Sequence, residues 1–264
     1  CGPRSMPARR PAKDREKDRQ FVTSLERGLQ VLRAFSRRKG GLRNGQLAKQ
    51  TKLAPSTISR LVYTLRELGY LSYDRKTRSY ILMPQVLSLG YPVLSQAPLL
   101  HQVRPVLVQI AQETGETCAF AQRDGLHATF LDCVQGRNML AVRMEIGARL
   151  PLSNSASGLC LIKASPESER RVLLSRIRAT LTRRRIPVAA FEQRLTEALA
   201  SPVVIVRDTW HKGIGGVAIP LSNGSEIGAI TIPIATSNVS EKEMRGRLSD
   251  LILELVERHQ LGIR

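Results

Sequence analysis

Two groups of side chains in this sequence could do chemistry. The first is polar and basic. Ser56, Thr57, Ser59, Arg60 and Tyr63 fall within eight residues, and Arg75, Lys76 and Arg78 follow within four. Hydroxyls and a guanidinium on the outer side of a helix suit base edges and phosphates in a DNA major groove, which is about 12 Å wide. Ser56 and Thr57 would occupy the first helical turn, where free N–H groups also attract phosphate. The three cations would reach neighbouring phosphates or the minor groove. Each group has a plainer reading. Ser56 and Thr57 could cap their helix, Tyr63 could pack on the hairpin wing, and the cations could form a solvated turn. The second group is catalytic in type and weaker. His101, His127, His211 and His259 are scattered, none beside a cysteine or carboxylate at metal-ligand spacing, so no metal site is expected. His211 near Asp208 in "RDTWHKG" is a candidate acid–base pair, against a loop histidine that caps a turn. "SNSASG" lacks the Gly-x-Ser-x-Gly elbow of hydrolases. No catalytic residue and no cofactor is expected.

The first group needs a scaffold, and the flanking pattern supplies one. Val22, Leu25, Leu29, Leu32 and Phe35 recur at three and four residues, which predicts a helix with one apolar face. A short helix is expected over 44–50 with Asn44 as its N-cap, and a third from Pro55, since proline suits a first turn. In that third helix Ile58, Leu61, Val62, Leu65 and Leu68 form the core stripe, leaving Ser56, Ser59, Arg60, Tyr63 and Glu67 outside. "YLSY" and "SYIL" read as strands joined by "DRKTR", a basic hairpin. The whole is a winged helix-turn-helix over residues 21–83. Residues 84–98, with three prolines, read as a linker helix running until Pro92 disturbs it, able to couple domains or pair with another subunit. Residues 1–20 read as a disordered basic arm, and "CGPRS" before Met6 as a cloning remnant.

Charge follows the same division. Of 41 Lys+Arg and 22 Asp+Glu in 264 residues, the first 92 hold 20 and 6, a net +14 against +5 for the remainder. Such asymmetry suggests a polyanion as partner of the N-terminal part. Cys1, Cys118, Cys133 and Cys160 are far apart, and no apolar run approaches a membrane span. A reduced, cytoplasmic protein is expected, with no membrane partner.

From Leu99 to Arg264 the chain reads as α+β. Strands are expected over 116–122, 127–134 and 139–144, then helices from about Ser155, over 166–178 and over 189–200. "PVVIV", "GIGGVAIPL" and "EIGAITIPI" read as further strands, the last two paired through "SNGS", and a final helix starts near Ser240. A mixed sheet flanked by helices makes a container for a small ligand. Arg170, Arg171, Arg176, Arg178, Arg183, Arg184 and Arg185 read as a solvated helix face in preference to a second nucleic-acid site.

Four stretches, "SLERGLQVLRAF", "LAKQTKLAPSTISRLVYTLRELGYL", "ARLPLSNSASG" and "GIGGVAIPLSNGSEIGAITI", occur in an order and spacing that resemble the IclR family of bacterial transcription regulators. The resemblance covers about residues 21–262. It implies a winged helix, a linker helix and a GAF-like effector-binding domain, assembled as a homodimer or homotetramer on operator DNA, with RNA polymerase as a candidate further partner. It implies an effector held by Leu150, Ala156 and Ser157 on one side and Gly216 and Thr231 on the other. Where some members offer an acid, a cysteine and two serines to a small oxoacid, this chain has Val206, Gly216, Thr231 and Pro233, and Ser153 stands at the usual His-like position. A less polar, roomier pocket follows, suited to a larger organic or aromatic acid over glyoxylate or pyruvate. The expected function is a regulator, of repressor type, controlled by such an acid. The alternatives are a constitutive oligomeric DNA-binding protein, or a hydrolase-like enzyme carrying a DNA-binding domain.

Overall fold

The computed structural model describes residues 20–37 and 40–263. The arm expected over 1–20 therefore lies outside the described residues except for Gln20. The chain divides into two compact units, one ending at Gln96 and the other starting at Ala97.

The N-terminal unit contains α1 (Thr23–Ala34), α2 (Asn44–Thr51), α3 (Pro55–Glu67), a hairpin of β1 (Leu71–Asp74) and β2 (Ser79–Leu82), and α4 (Leu87–Ser95). Val31, Phe35, Leu42, Leu47, Ile58, Val62 and Leu71 close its core. Burying each large aliphatic side chain contributes about 1.5–3 kcal/mol. Leu42 exchanges two backbone hydrogen bonds with Tyr80, at 2.9 and 2.8 Å, so the segment before α2 adds a third rung to the hairpin. Gly41 makes that approach possible, because a Cβ there would lie 2.2 Å from Ser79 Oγ.

Three expectations need correction here. The α1 stripe is only partly core: Val22, Leu25 and Leu29 are exposed, as is Leu68 of α3. The buried residues of α1, Val31 and Ala34, both lie in its C-terminal half, so the same periodicity continues onto an outward face. Asn44 is the first residue of α2 and not its cap; Arg43 holds that position, and the Asn44 amide reaches Ser59 instead. The linker helix passes through Pro92 to Ser95, giving up one backbone hydrogen bond without stopping.

The C-terminal unit has α5 (Pro98–Thr114), β3 (Cys118–Asp124), β4 (His127–Val134), β5 (Arg149–Pro151), α6 (Ala156–Ala164), α7 (Glu167–Arg183), α8 (Val188–Ala200), β6 (Val204–Arg207), β7 (Ile214–Ser222) and β8 (Ile227–Ala235). After Ser240 caps a short turn, α9 (Ser249–Arg258) ends the unit. The sheet order is β5-β4-β3-β8-β7-β6. The α+β class holds, but every ladder is antiparallel, so the sheet is not mixed. Hairpin connections explain this, since tight turns return the chain beside itself in the opposite sense. β7 and β8 are buried along nearly their whole length, with helices on both faces. The run 139–144 is not a strand. It belongs to a loop whose Val142 and Met144 turn onto the core.

Candidate functional site

On α3, Ser56, Ser59, Arg60 and Tyr63 are exposed and Thr57 is half-buried. No side chain caps α3, and the hydroxyls of Ser56 and Thr57 make no hydrogen bond among the described residues, which removes the capping alternative. Ser59 is engaged: its hydroxyl donates to Pro55 O at 3.0 Å and accepts from Asn44 Nδ2 at 3.2 Å. Tyr63 is 62% exposed and does not pack on the hairpin. Thr57 and Arg60 sit on a shoulder of the helix that also borders an apolar groove, described below. The face is thus broader than the set expected from the sequence.

At the hairpin tip Arg75, Lys76 and Arg78 are exposed. Asp74 orders that turn by accepting from the Thr77 hydroxyl at 2.7 Å and the Lys76 N–H at 2.8 Å. The Thr77 bond, then the Lys76 one, holds the Asp74 carboxyl below its ordinary pKa. Arg78 adopts a left-handed backbone, φ 52°, where the chain turns back into β2. Arg43, Arg66 and Tyr73 were not singled out in the sequence, and Asn44 only as a cap, yet they stand beside Arg78 around one hollow. Arg66 lies seven residues after Ser59, so helical spacing could have found it.

A groove of about 640 Å³ runs along the same unit, bordered by Leu25, Gly28, Leu29, Leu32, Leu61, Leu68 and Leu89. It collects the part of the α1 stripe that the core leaves out. Leu87, Leu89, Tyr91 and Val93 of α4 are also exposed.

In the C-terminal unit one cavity brings together Leu150, Ala156, Ser157, Gly216 and Thr231, all five residues expected of an effector site. Val206 and Pro233 line it as well. Sequence reading missed Phe130, Val142, Met144, Asn154, Thr209 and Trp210. Trp210, the single tryptophan, was the available signal, but its neighbours His211 and Asp208 drew attention to acid–base chemistry. That pair proves to be a turn: Asp208 accepts from Gly213 N–H at 2.5 Å, and His211 Nδ1 lies 3.0 Å from Lys212 O. No side chain lining the cavity is charged. Its volume is about 40 Å³, and Trp210, Phe130 and Met144 are among the side chains that enclose it.

Local structure equips this cavity with hydrogen-bonding groups. The first N–H groups of a helix have no intrahelical partner. Ser155 Oγ, the cap of α6, takes the one from Gly158 at 3.1 Å, leaving those of Ala156 and Ser157 beside the cavity. Ser157 is therefore not the cap. Thr231 donates to Val217 O at 3.3 Å and keeps lone pairs to accept with. Asn154 and Thr209 exchange hydrogen bonds of 3.2 and 2.7 Å through their backbone carbonyls, and Asn154 Oδ1 remains buried without a partner.

Among the described residues no cluster of three His, Cys, Asp or Glu could hold a metal, and no helix is long and apolar enough to cross a membrane. Cys118, Cys133 and Cys160 are free thiols, and burial pushes Cys133 up to about 12.

Comparison with known proteins decides what these surfaces belong to. The model of the IclR helix-turn-helix domain matches residues 24–75, and that of the bacterial transcriptional regulator IclR C-terminal domain matches residues 91–258. The chain belongs to the IclR family. Like its relatives it is a DNA-binding transcriptional regulator. It is 27% identical over 241 residues to the Pca regulon regulatory protein of Pseudomonas putida, covering 89% of this chain and 82% of that one. The crystal structure of an IclR family transcriptional regulator from Brucella abortus superposes with a TM-score of 0.71 at 30% identity, covering 95% and 96% of the two chains. An IclR homologue from Microbacterium hydrocarbonoxydans, solved with 4-hydroxybenzoate, shares the fold at 20% identity and a TM-score of 0.64, over 89% and 99%. The IclR-type helix-turn-helix thus coincides with α1–α3 and the start of the hairpin.

Proposed function

We propose that this regulator is a repressor released from its operator by a small carboxylic acid, aromatic or otherwise partly apolar, held in the cavity at the start of α6. The observation that carries the reading is the cavity's composition: apolar walls, no charged side chain, and the N–H groups of Ala156 and Ser157 at a helix N-terminus. Such groups stabilise an anion without a counter-charge. Asn154 Oδ1 would accept from a ligand hydroxyl, and the hydroxybenzoate held by the Microbacterium homologue is an acid of that kind. At about 40 Å³ the cavity has room for little more than a water. An aromatic ring therefore requires the Trp210 loop or the segment 135–148 to move, and a ligand that favours the opened state shifts the population towards it. Ser56, Thr57, Ser59, Arg60 and Tyr63 would read the major groove, with Arg75, Lys76 and Arg78 on flanking backbone. Binding and release, without turnover, are the whole activity in this reading.

The active species is a homodimer, or a homotetramer built from such dimers. Exposed leucines on α1 and α4, with Leu68 at the end of α3, border one apolar groove, the kind of surface that marks an interaction site. A second copy covering it would place two reading helices on one duplex.

The test is a thermal-shift screen of the full chain against aliphatic and aromatic carboxylic acids. It is followed by mobility shifts on a duplex the chain selects from a randomised library. A ligand at a hundredfold excess over its Kd stabilises by about 2.7 kcal/mol. The expected result is at least one acid that raises the melting temperature and weakens DNA binding. A chain that binds its selected duplex identically with every acid would establish the constitutive alternative.

A further inference from the structure

Arg43 precedes α2, Arg66 lies near the end of α3, and Arg78 closes the hairpin. Their side chains border one hollow of about 400 Å³, walled by Tyr73 and Tyr80 and floored by Gly45. The two tyrosine rings stack tilted, with centroids 5.1 Å apart. No acidic residue lines the hollow, and none of the three guanidinium groups has a carboxylate partner among the described residues. Some arginines of the C-terminal unit are paired, as in Arg123–Glu169 at 2.9 Å, Arg178–Glu192 at 2.7 Å and Arg258–Glu254 at 2.6 Å. Asp74, four residues before Arg78, is occupied by Lys76 and Thr77, and Glu67, next to Arg66, is not part of the lining. Three like charges around one space repel one another, and an anion between them reverses the sign of that energy. Gly45 adds a second feature. A Cβ built there would meet nothing within 4 Å, so packing does not demand glycine. Its absence of side chain leaves the N–H groups of Asn44 and Gly45 open to an approaching oxygen, whereas those of Gln46 and Leu47 donate to Arg43 O.

We propose that Arg43, Arg66 and Arg78, with the N–H groups at the start of α2, grip one phosphate of the operator backbone. This site shares Arg78 with the hairpin tip, adds Arg43 and Arg66 to it, and rests on the DNA-binding reading of α3. Asn44 ties its wall to the reading helix through the 3.2 Å bond to Ser59. Arg66 is about two turns along the same face, roughly 10 Å from Ser59. The gripped phosphate therefore borders the bases that Ser56 and Ser59 face, and it sets how deep α3 sits.

The experiment uses the full chain and the duplex it selects from a randomised library, with a random duplex as control. Arg66→Gln should weaken both by the same factor and flatten the slope of log affinity against log salt by about 0.9, one phosphate's share. Arg43→Gln with Arg66→Gln should flatten it by no more than that, because both residues act on one phosphate. Arg66→Lys should retain the slope. Gly45→Leu changes no charge and its Cβ meets open space, so it should keep the melting temperature yet weaken binding to both duplexes. An unchanged slope in Arg66→Gln, or unimpaired binding by Gly45→Leu, would overturn the assignment. Failure of the unaltered chain to select any duplex would sink the DNA reading of α3, and this site with it.

Discussion

Single residues carry the ligand argument, and Gly216 is the sharpest probe of it. A methyl group there would lie 3.4 Å from Ala156 Cβ and 3.8 Å from Thr231 Oγ1, both ordinary contacts. Gly216→Ala should therefore alter the stability of the free chain by less than about 1 kcal/mol. It should also take space from a cavity that has little, weakening a stabilising acid at least tenfold, or about 1.4 kcal/mol. Calorimetric titration of both proteins with the same acid checks this, and equal affinities would remove Gly216 from the site. Residues of this kind were unevenly legible in sequence. Leu150, Ala156, Ser157, Gly216 and Thr231 lie in stretches that carry the family resemblance. Asn154 and Trp210 matter through hydrogen bonds and packing between segments 55 residues apart, which no local pattern encodes. Arg43 and Arg66 looked like ordinary surface cations until the hairpin brought Arg78 to them.

Elements show where periodicity informs and where it misleads. The three-and-four spacing along α1 located the helix correctly but not its buried side, because a stripe facing the core and one left exposed are written alike. Leu29 and Leu89 are 39% and 52% exposed, so replacing both with glutamate should leave the N-terminal unit folded. Two buried leucines contribute about 3–6 kcal/mol, at least a hundredfold in a dimer dissociation constant. Sedimentation at micromolar concentration should show the double variant shifted towards monomer, whereas an unchanged distribution would exclude this groove as the contact. The expected strand over 139–144 failed for a related reason: a short apolar run fits a strand or a covering loop equally well. Antiparallel pairing of β7 with β8, by contrast, was readable because "SNGS" between two apolar runs dictates a hairpin.

Taken whole, the molecule separates a charged task from an uncharged one. The first 92 residues carry +14 of the net +19, while the cavity of the C-terminal unit has no charged lining. Salt should therefore act on the two tasks differently. Raising sodium chloride from 50 to 200 mM should reduce DNA affinity by orders of magnitude, as counterion release requires for several phosphate contacts. Affinity for a stabilising acid should change by no more than about twofold, since neutral dipoles at short range are little screened. Parallel titrations at both concentrations decide it, and a steep salt dependence of acid binding would mean that a cation outside the described lining holds the carboxylate.

The reciprocal hydrogen bonds between Asn154 and Thr209 work as a latch. They join the leader of α6 to the loop bearing Trp210, so neither side can swing away alone. If the cavity takes the proposed acid, molecules small enough to slip in would leave it fastened and go unnoticed, and only a guest bulky enough to part both strands of the clasp would change the protein's shape. Discrimination among metabolites would then arise from a threshold of size, before any particular functional group is recognised.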